Sequence, residues 1–134
     1  MMRRRDVLTT VAAGSIALCG CMGDGSGQRK IGIDGVRLFN DDASGHWITL
    51  RIIRGEEDVV FEQRFRLPST DLTRVDQPVS QPGEYTLEVA QDGEITREDL
   101  AEYASEKYSC VGATARITEG GSVAPIEVTQ YTEC

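Results

Sequence analysis

From Trp47 to Leu67 the chain alternates apolar and polar residues with a period of two, and this constrains its fold more than any other feature. Ile48, Leu50 and Ile52 interleave with Trp47, Thr49 and Arg51. Val59, Phe61, Gln63, Phe65 and Leu67 then form a second, nearly apolar face, with Val60, Glu62, Arg64 and Arg66 pointing the other way. Such a pattern belongs to half-buried strands and not to a helix, whose faces recur every 3.6 residues. The turn-forming stretch Arg54-Gly55-Glu56-Glu57-Asp58 joins the two runs, so they are expected to form a hairpin. The other expected strands are Ile31 to Phe39, closed by the Asx-rich turn Asn40-Asp41-Asp42, and Cys110 to Thr118 with Ser122 to Thr129, a last hairpin around Glu119-Gly120-Gly121. Pro125 places the second strand of that hairpin at a sheet edge, because proline has no ladder N–H to give.

Between these runs lies Pro82-Gly83-Glu84-Tyr85-Thr86-Leu87-Glu88-Val89. Pro-Gly turns the chain, and Tyr85, Leu87 and Val89 then share one side. This P-G-x-Y-x-L-x-V pattern resembles immunoglobulin-like sandwiches, which implies that Tyr85 packs inward and hydrogen-bonds a neighbouring turn. The expected fold is therefore all-β, an immunoglobulin-like β-sandwich of six or seven strands over residues 30–134. Thr96-x-x-Asp99, before Glu98-Asp99-Leu100-Ala101-Glu102-Tyr103, reads as a capping box. A short helix and an irregular crossover both suit 96–107.

The chain opens MMRRRDVLTTVAAGSIALCGC, a basic start, a weakly apolar run from Val7 to Leu18 and small residues before a cysteine. Twelve helical residues reach about 18 Å, short of a hydrocarbon core of about 30 Å, so residues 1–20 read as a signal peptide and not as a membrane anchor. Arg4 and Arg5, followed by Asp6, Val7 and Leu8, resemble the twin-arginine export pattern. Leu18-Cys19-Gly20-Cys21 resembles a lipobox, although Cys19 stands where alanine or serine is usual. That resemblance implies a lipid on Cys21, followed through residue 29 by a flexible linker containing Met22-Gly23-Asp24-Gly25-Ser26-Gly27-Gln28. The implied location is the extracytoplasmic face of the cell membrane, with the lipid as tether.

Two cysteines remain beyond the leader, Cys110 and Cys134. In an oxidising compartment an even pair is expected to form a disulfide, worth about 3.5 kcal/mol through loop-closure entropy.

Charge narrows the choice of partners. The whole chain carries −8. Removing Arg3, Arg4, Arg5 and Asp6 with the leader leaves 11 bases against 21 acids. A body so acidic repels phosphate backbones, so nucleic acid is not expected as a partner, and anionic headgroups gain nothing from it. Only Lys30 and Lys107 accompany nine arginines in that part. This acid-rich, lysine-poor composition resembles proteins of extreme halophiles and also suits an ordinary acidic surface.

His46 is the sole histidine. A Ser-His-Asp arrangement would need a nucleophile beside it, and no nucleophile elbow is present. A blue-copper site needs two histidines, and zinc is disfavoured for the same reason. Asp41 and Asp42, or Glu56, Glu57 and Asp58, lack the spacing of an EF-hand and read as solvated turns. Arg51, Arg64 and Arg66 are expected to share an outward face with Glu62 as an ion-pair lattice. No catalytic residue, metal or cofactor is expected.

Taken together, the leader, lipobox and strand pattern resemble haloarchaeal twin-arginine lipoproteins that carry one immunoglobulin-like domain. The expected function is a lipid-anchored surface module that binds or scaffolds an unknown protein or glycan partner. The alternative is a ligand-binding accessory subunit of a transporter or sensor, which would need a concave pocket.

Overall fold

The computed structural model describes residues 29–134. The leader with Arg4 and Arg5, the lipobox, Cys21 and residues 22–28 lie outside the described residues. Eight strands follow in order: β1 (Gly32–Asn40), β2 (His46–Arg54), β3 (Asp58–Leu67), β4 (Asp71–Asp76), β5 (Tyr85–Gln91), β6 (Glu94–Asp99), β7 (Cys110–Ile117) and β8 (Glu127–Tyr131). They make two four-stranded sheets, β4-β1-β7-β8 and β3-β2-β5-β6. All neighbours are antiparallel except β1 and β7, which run parallel from Gly32 beside Cys110 to Asn40 beside Ile117. The fold is an all-β sandwich.

Alternation decides which side chains meet between the sheets. β1 contributes Val36 and Leu38, β2 contributes Ile48, Leu50 and Ile52, β5 contributes Tyr85, Leu87 and Val89, and β7 contributes Val111, Ala113, Ala115 and Ile117. These are aliphatic or small apart from Tyr85, and nearly all are excluded from water. Burying each large aliphatic side chain is worth about 1.5–3 kcal/mol. This interior is the main source of stability for an acidic domain.

The expected hairpin of β2 and β3 forms, with His46 opposite Leu67 and Arg54 opposite Asp58. A bulge at Ile52/Ile53, however, sets Val59 opposite Ile53 and exposed, off the apolar face on which the alternation put it. Two strands were not foreseen, β4 and β6, so the sandwich has eight strands where six or seven were expected. The Thr96-x-x-Asp99 capping box is also corrected. Thr96 lies within β6, opposite Val89, and the cap is Asp99 itself, whose carboxylate accepts the Ala101 N–H at 3.1 Å. It starts a single 3₁₀ turn over Leu100–Tyr103, whose Leu100 is buried against the core. The final hairpin is shifted too. Ile117 bridges to Val123, but β8 starts only at Glu127, so Pro125 precedes the edge strand instead of lying within it.

Candidate functional site

The sandwich has two ends. At one, Lys30 leads into β1, and at the other the strands end in the loops that contain Asp42, Gly93 and Gly121. Side chains with chemical potential lie in three places: the outer face of the β3-β2-β5-β6 sheet, the loop end around His46, and a cleft at the Lys30 end.

On the outer face, strand register lines up Glu62, Arg51, Glu88 and Arg97 across all four strands. Arg51 bonds Glu62 at 2.5 Å and Glu88 at 2.8 Å, and Arg97 bonds the second oxygen of Glu88 at 2.7 Å. Glu88 is only 3% exposed, so its charge has to be met by protein groups. Hydrogen bonding from Arg97, supported by Arg51, holds its carboxyl below the ordinary glutamate range despite burial.

The same face carries Trp47, 47% exposed. Arg66 stands opposite it on β3, and Arg64 lies one pair along, opposite Thr49. The Arg64 guanidinium sits 4.2 Å from the centre of an indole ring and that of Arg66 5.9 Å, both within cation–π range. Arg66 also covers Gly45, where a β-carbon would stand 2.7 Å from its guanidinium nitrogen. The expected lattice is therefore divided. Arg51 pairs with Glu62, whereas Arg64 and Arg66 go to Trp47 and make no ion pair among the described residues. Thr49 and Ala90, both small, continue the Arg64 row to Ile95, which is 53% exposed.

At the loop end, His46 Nε2 lies 2.7 Å from Asp42 and Nδ1 lies 3.2 Å from the Gln91 amide nitrogen. The Nε2–Asp42 contact is a hydrogen bond that the ring donates, since a carboxylate only accepts. This hydrogen bond holds Asp42 below the ordinary aspartate range. Both ring nitrogens are thus committed, neither to a hydroxyl, and the group acts as a strap between β2, β5 and the 41–45 loop. Asp41 bonds Arg116 at 2.8 Å, and Asp58 bonds Arg54. No group of three or more potential metal ligands occurs among the described residues.

At the Lys30 end, Cys110 and Cys134 are joined by a disulfide, with Cα atoms 5.2 Å apart. The Tyr85 hydroxyl donates to the Gln81 carbonyl at 2.5 Å, and its ring lies against Gly83, where a β-carbon would stand 2.9 Å from the ring. Gly83 in turn exchanges two backbone hydrogen bonds with Ile31, so this corner fixes the start of β1. Beside it an open cleft of about 400 Å³ is lined by Lys30, Ile33, Val79, Pro82 and Cys134 among others.

The Cys110–Cys134 disulfide and an inward Tyr85 were expected from the sequence, whereas the Trp47–Arg64 stack and both arginine partners of Glu88 were not. The tryptophan and the arginines were visible as outward residues. What was missing was the β2–β5–β6 register that brings Glu88 and Arg97 alongside Arg51.

One solved structure that resembles the fold is an NMR structure of a protein from Eubacterium rectale, 14% identical, with a TM-score of 0.42, covering 81% of this chain and 94% of that one. No curated protein matches the chain. The family model described as the halobacterial Ig-like domain matches residues 44–131, from the loop before β2 to the end of β8. The chain belongs to the halobacterial Ig-like domain family.

Proposed function

We propose that this protein is a surface-tethered binding or scaffolding module, exported by the twin-arginine route, anchored through a lipid on Cys21 and presenting its sandwich to a protein or glycan partner outside the cell. The observation that carries the binding role is the exposed Trp47 under Arg64 and Arg66 on the outer face of the sheet. Tryptophan and arginine supply a disproportionate share of binding energy at interfaces, and leaving a large indole in water has no benefit for folding. The stack also sits towards the end of the domain away from Lys30, the end that a tether there would turn outward. His46, with both nitrogens committed, supports a reading without catalysis.

Crosslinking in native membranes tests the binding role. The intact chain should capture a reproducible partner, and Trp47→Ala should lose it while remaining folded; capture unaffected by that change removes the site. Cys21→Ala should release the protein from membranes, and a membrane-bound form with an unmodified Cys21 would end the lipoprotein reading.

The cleft at the Lys30 end favours the second reading, an accessory subunit that holds a small ligand for a transporter or sensor. A ligand that raises the melting temperature of the protein, but not of Val79→Arg, would support it. A small-molecule panel that produces no shift would count against it.

A further inference from the structure

Strand β3 carries the elements of a contact with a second copy of this chain. It is ten residues long, lies at the margin of its sheet, and among the described residues its backbone pairs only with β2. A long strand so placed presents unpaired N–H and C=O groups to any other strand. Through its middle it reads Val60-Phe61-Glu62-Gln63-Arg64-Phe65-Arg66. Reversed about Gln63, Phe61 falls on Phe65 and Glu62 falls on Arg64.

The faces agree with that symmetry. Glu62 and Arg64 point out of the sheet, opposite Arg51 and Thr49. Phe61 and Phe65 lie on the inner side, partly buried against the core, and Gln63 between them is exposed although it stands opposite the fully buried Leu50. The middle of β3 therefore overhangs the other sheet and leaves both phenylalanine rings incompletely covered. An antiparallel partner centred on Gln63 would set Glu62 of each copy against Arg64 of the other, and Phe61 against Phe65. Slipping by one residue exchanges the inner and outer faces. Slipping by two sets Arg64 against Arg64 or Glu62 against Glu62, which opposes like charges. One register alone satisfies both faces.

We propose that two copies join edge to edge through β3, antiparallel about Gln63, so that two four-stranded sheets become one of eight strands. The contact is isologous, with its two-fold axis normal to the sheet. Arg64 can keep its face on Trp47 while its edge meets the carboxylate, because a guanidinium stacks and hydrogen-bonds in different directions. The Lys30 ends of the two copies point in opposite directions, which suits a bridge between two facing surfaces. The contact names a partner that the binding-module reading leaves open, and it needs neither leader nor lipid.

Sedimentation of the full-length chain in detergent over a range of concentrations tests this, with native mass spectrometry of mixtures. The unaltered chain should show a concentration-dependent dimer. R64E, which leaves the Arg51–Glu62 pair intact, should weaken it at least tenfold by facing carboxylates with carboxylates, and E62R should do the same with guanidiniums. Mixed in equal amounts, the two variants should recover a one-to-one heterodimer, since each then meets its opposite across the axis. Q63C should crosslink to itself under mild oxidation, and should cease to do so when R64E is added. Circular dichroism of each variant separates lost contact from lost fold. A chain that stays monomeric, a dimer indifferent to R64E, or a mixture that fails to pair overturns the proposal. Each of these results leaves the binding role of Trp47 to be judged by its own crosslinking.

Discussion

The sulfur of Cys134 rests on the backbone of Gly32: a β-carbon at residue 32 would stand 2.9 Å from it. Gly32 opens β1 beside Cys110 of β7, so the disulfide is seated on the junction of the two parallel strands. Gly32→Ala should destabilise by about 1–3 kcal/mol through overpacking. Paired with Cys110→Ala and Cys134→Ala, the same change should lose most of its cost, because the obstructing sulfur is gone. Urea unfolding of the four proteins forms a double-mutant cycle, and additive costs would show that sulfur and glycine are independent.

Removing the bridge alone should cost about 3.5 kcal/mol, the loop-closure entropy for a separation of 24 residues. Its measure is the drop in unfolding free energy of Cys134→Ser with the urea dependence compared alongside.

Tyr85→Phe deletes the hydroxyl that meets the Gln81 carbonyl and should cost about 1 kcal/mol. Burial raises the Tyr85 hydroxyl above its ordinary value of 10.0. The folded state therefore keeps that proton where the unfolded chain gives it up. The associated stability is full below pH 10 and is lost as pH rises through the folded value. Thermal melts in alkaline buffer should fall more steeply for the unaltered protein than for the phenylalanine variant.

Glu88 behaves in the opposite sense. Arg97 and Arg51 hold its carboxyl below the ordinary 4.5, so its contribution is full above that value and disappears as pH falls through the lower, folded one. Glu88→Gln should lower stability at neutral pH by about 1–3 kcal/mol and flatten the acid limb of the stability curve. Identical acid limbs for the two proteins would remove Glu88 as a source of acid sensitivity.

Trp47→Ala should change stability by no more than about 0.5 kcal/mol, since the side chain packs on arginines at the surface and not on the core. It should also abolish intrinsic tryptophan fluorescence, as Trp47 is the sole tryptophan. A large loss of stability would make Trp47 a structural residue instead of a presented one.

The strands that sequence reasoning found are those with one apolar face, β1, β2, β3, β5 and β7, because burial on one side writes period two into the chain. β4 and β6 are edge strands with mostly polar sides. In Asp71–Asp76 only Val75 packs against the core, and Leu72 faces solvent. In Glu94–Asp99 the lone aliphatic residue, Ile95, points outward, and the charges read as a helix start. A signal was nevertheless present: Asp92-Gly93, both at positive φ, is a hairpin turn dipeptide that directs the chain back along β5. The candidate site was legible as a set of outward residues on β2 and β3. Its members on β5 and β6, Glu88 and Arg97, depended on cross-strand register, which no local pattern encodes.

The parallel pairing of β1 with β7 has a consequence for biosynthesis. β1 sits mid-sheet, between β4 and β7, so an early-synthesised strand waits for one that is made late; the Asp41–Arg116 pair joins residues 75 apart. A nascent polypeptide still lacking β7 can pair β1 with β4 and β2 with β3 and β5, but the other edge of β1 has no ladder partner. That sheet therefore closes only once β7 has been made, and pairing so distant in sequence is slow by the standard of proteins rich in local contacts.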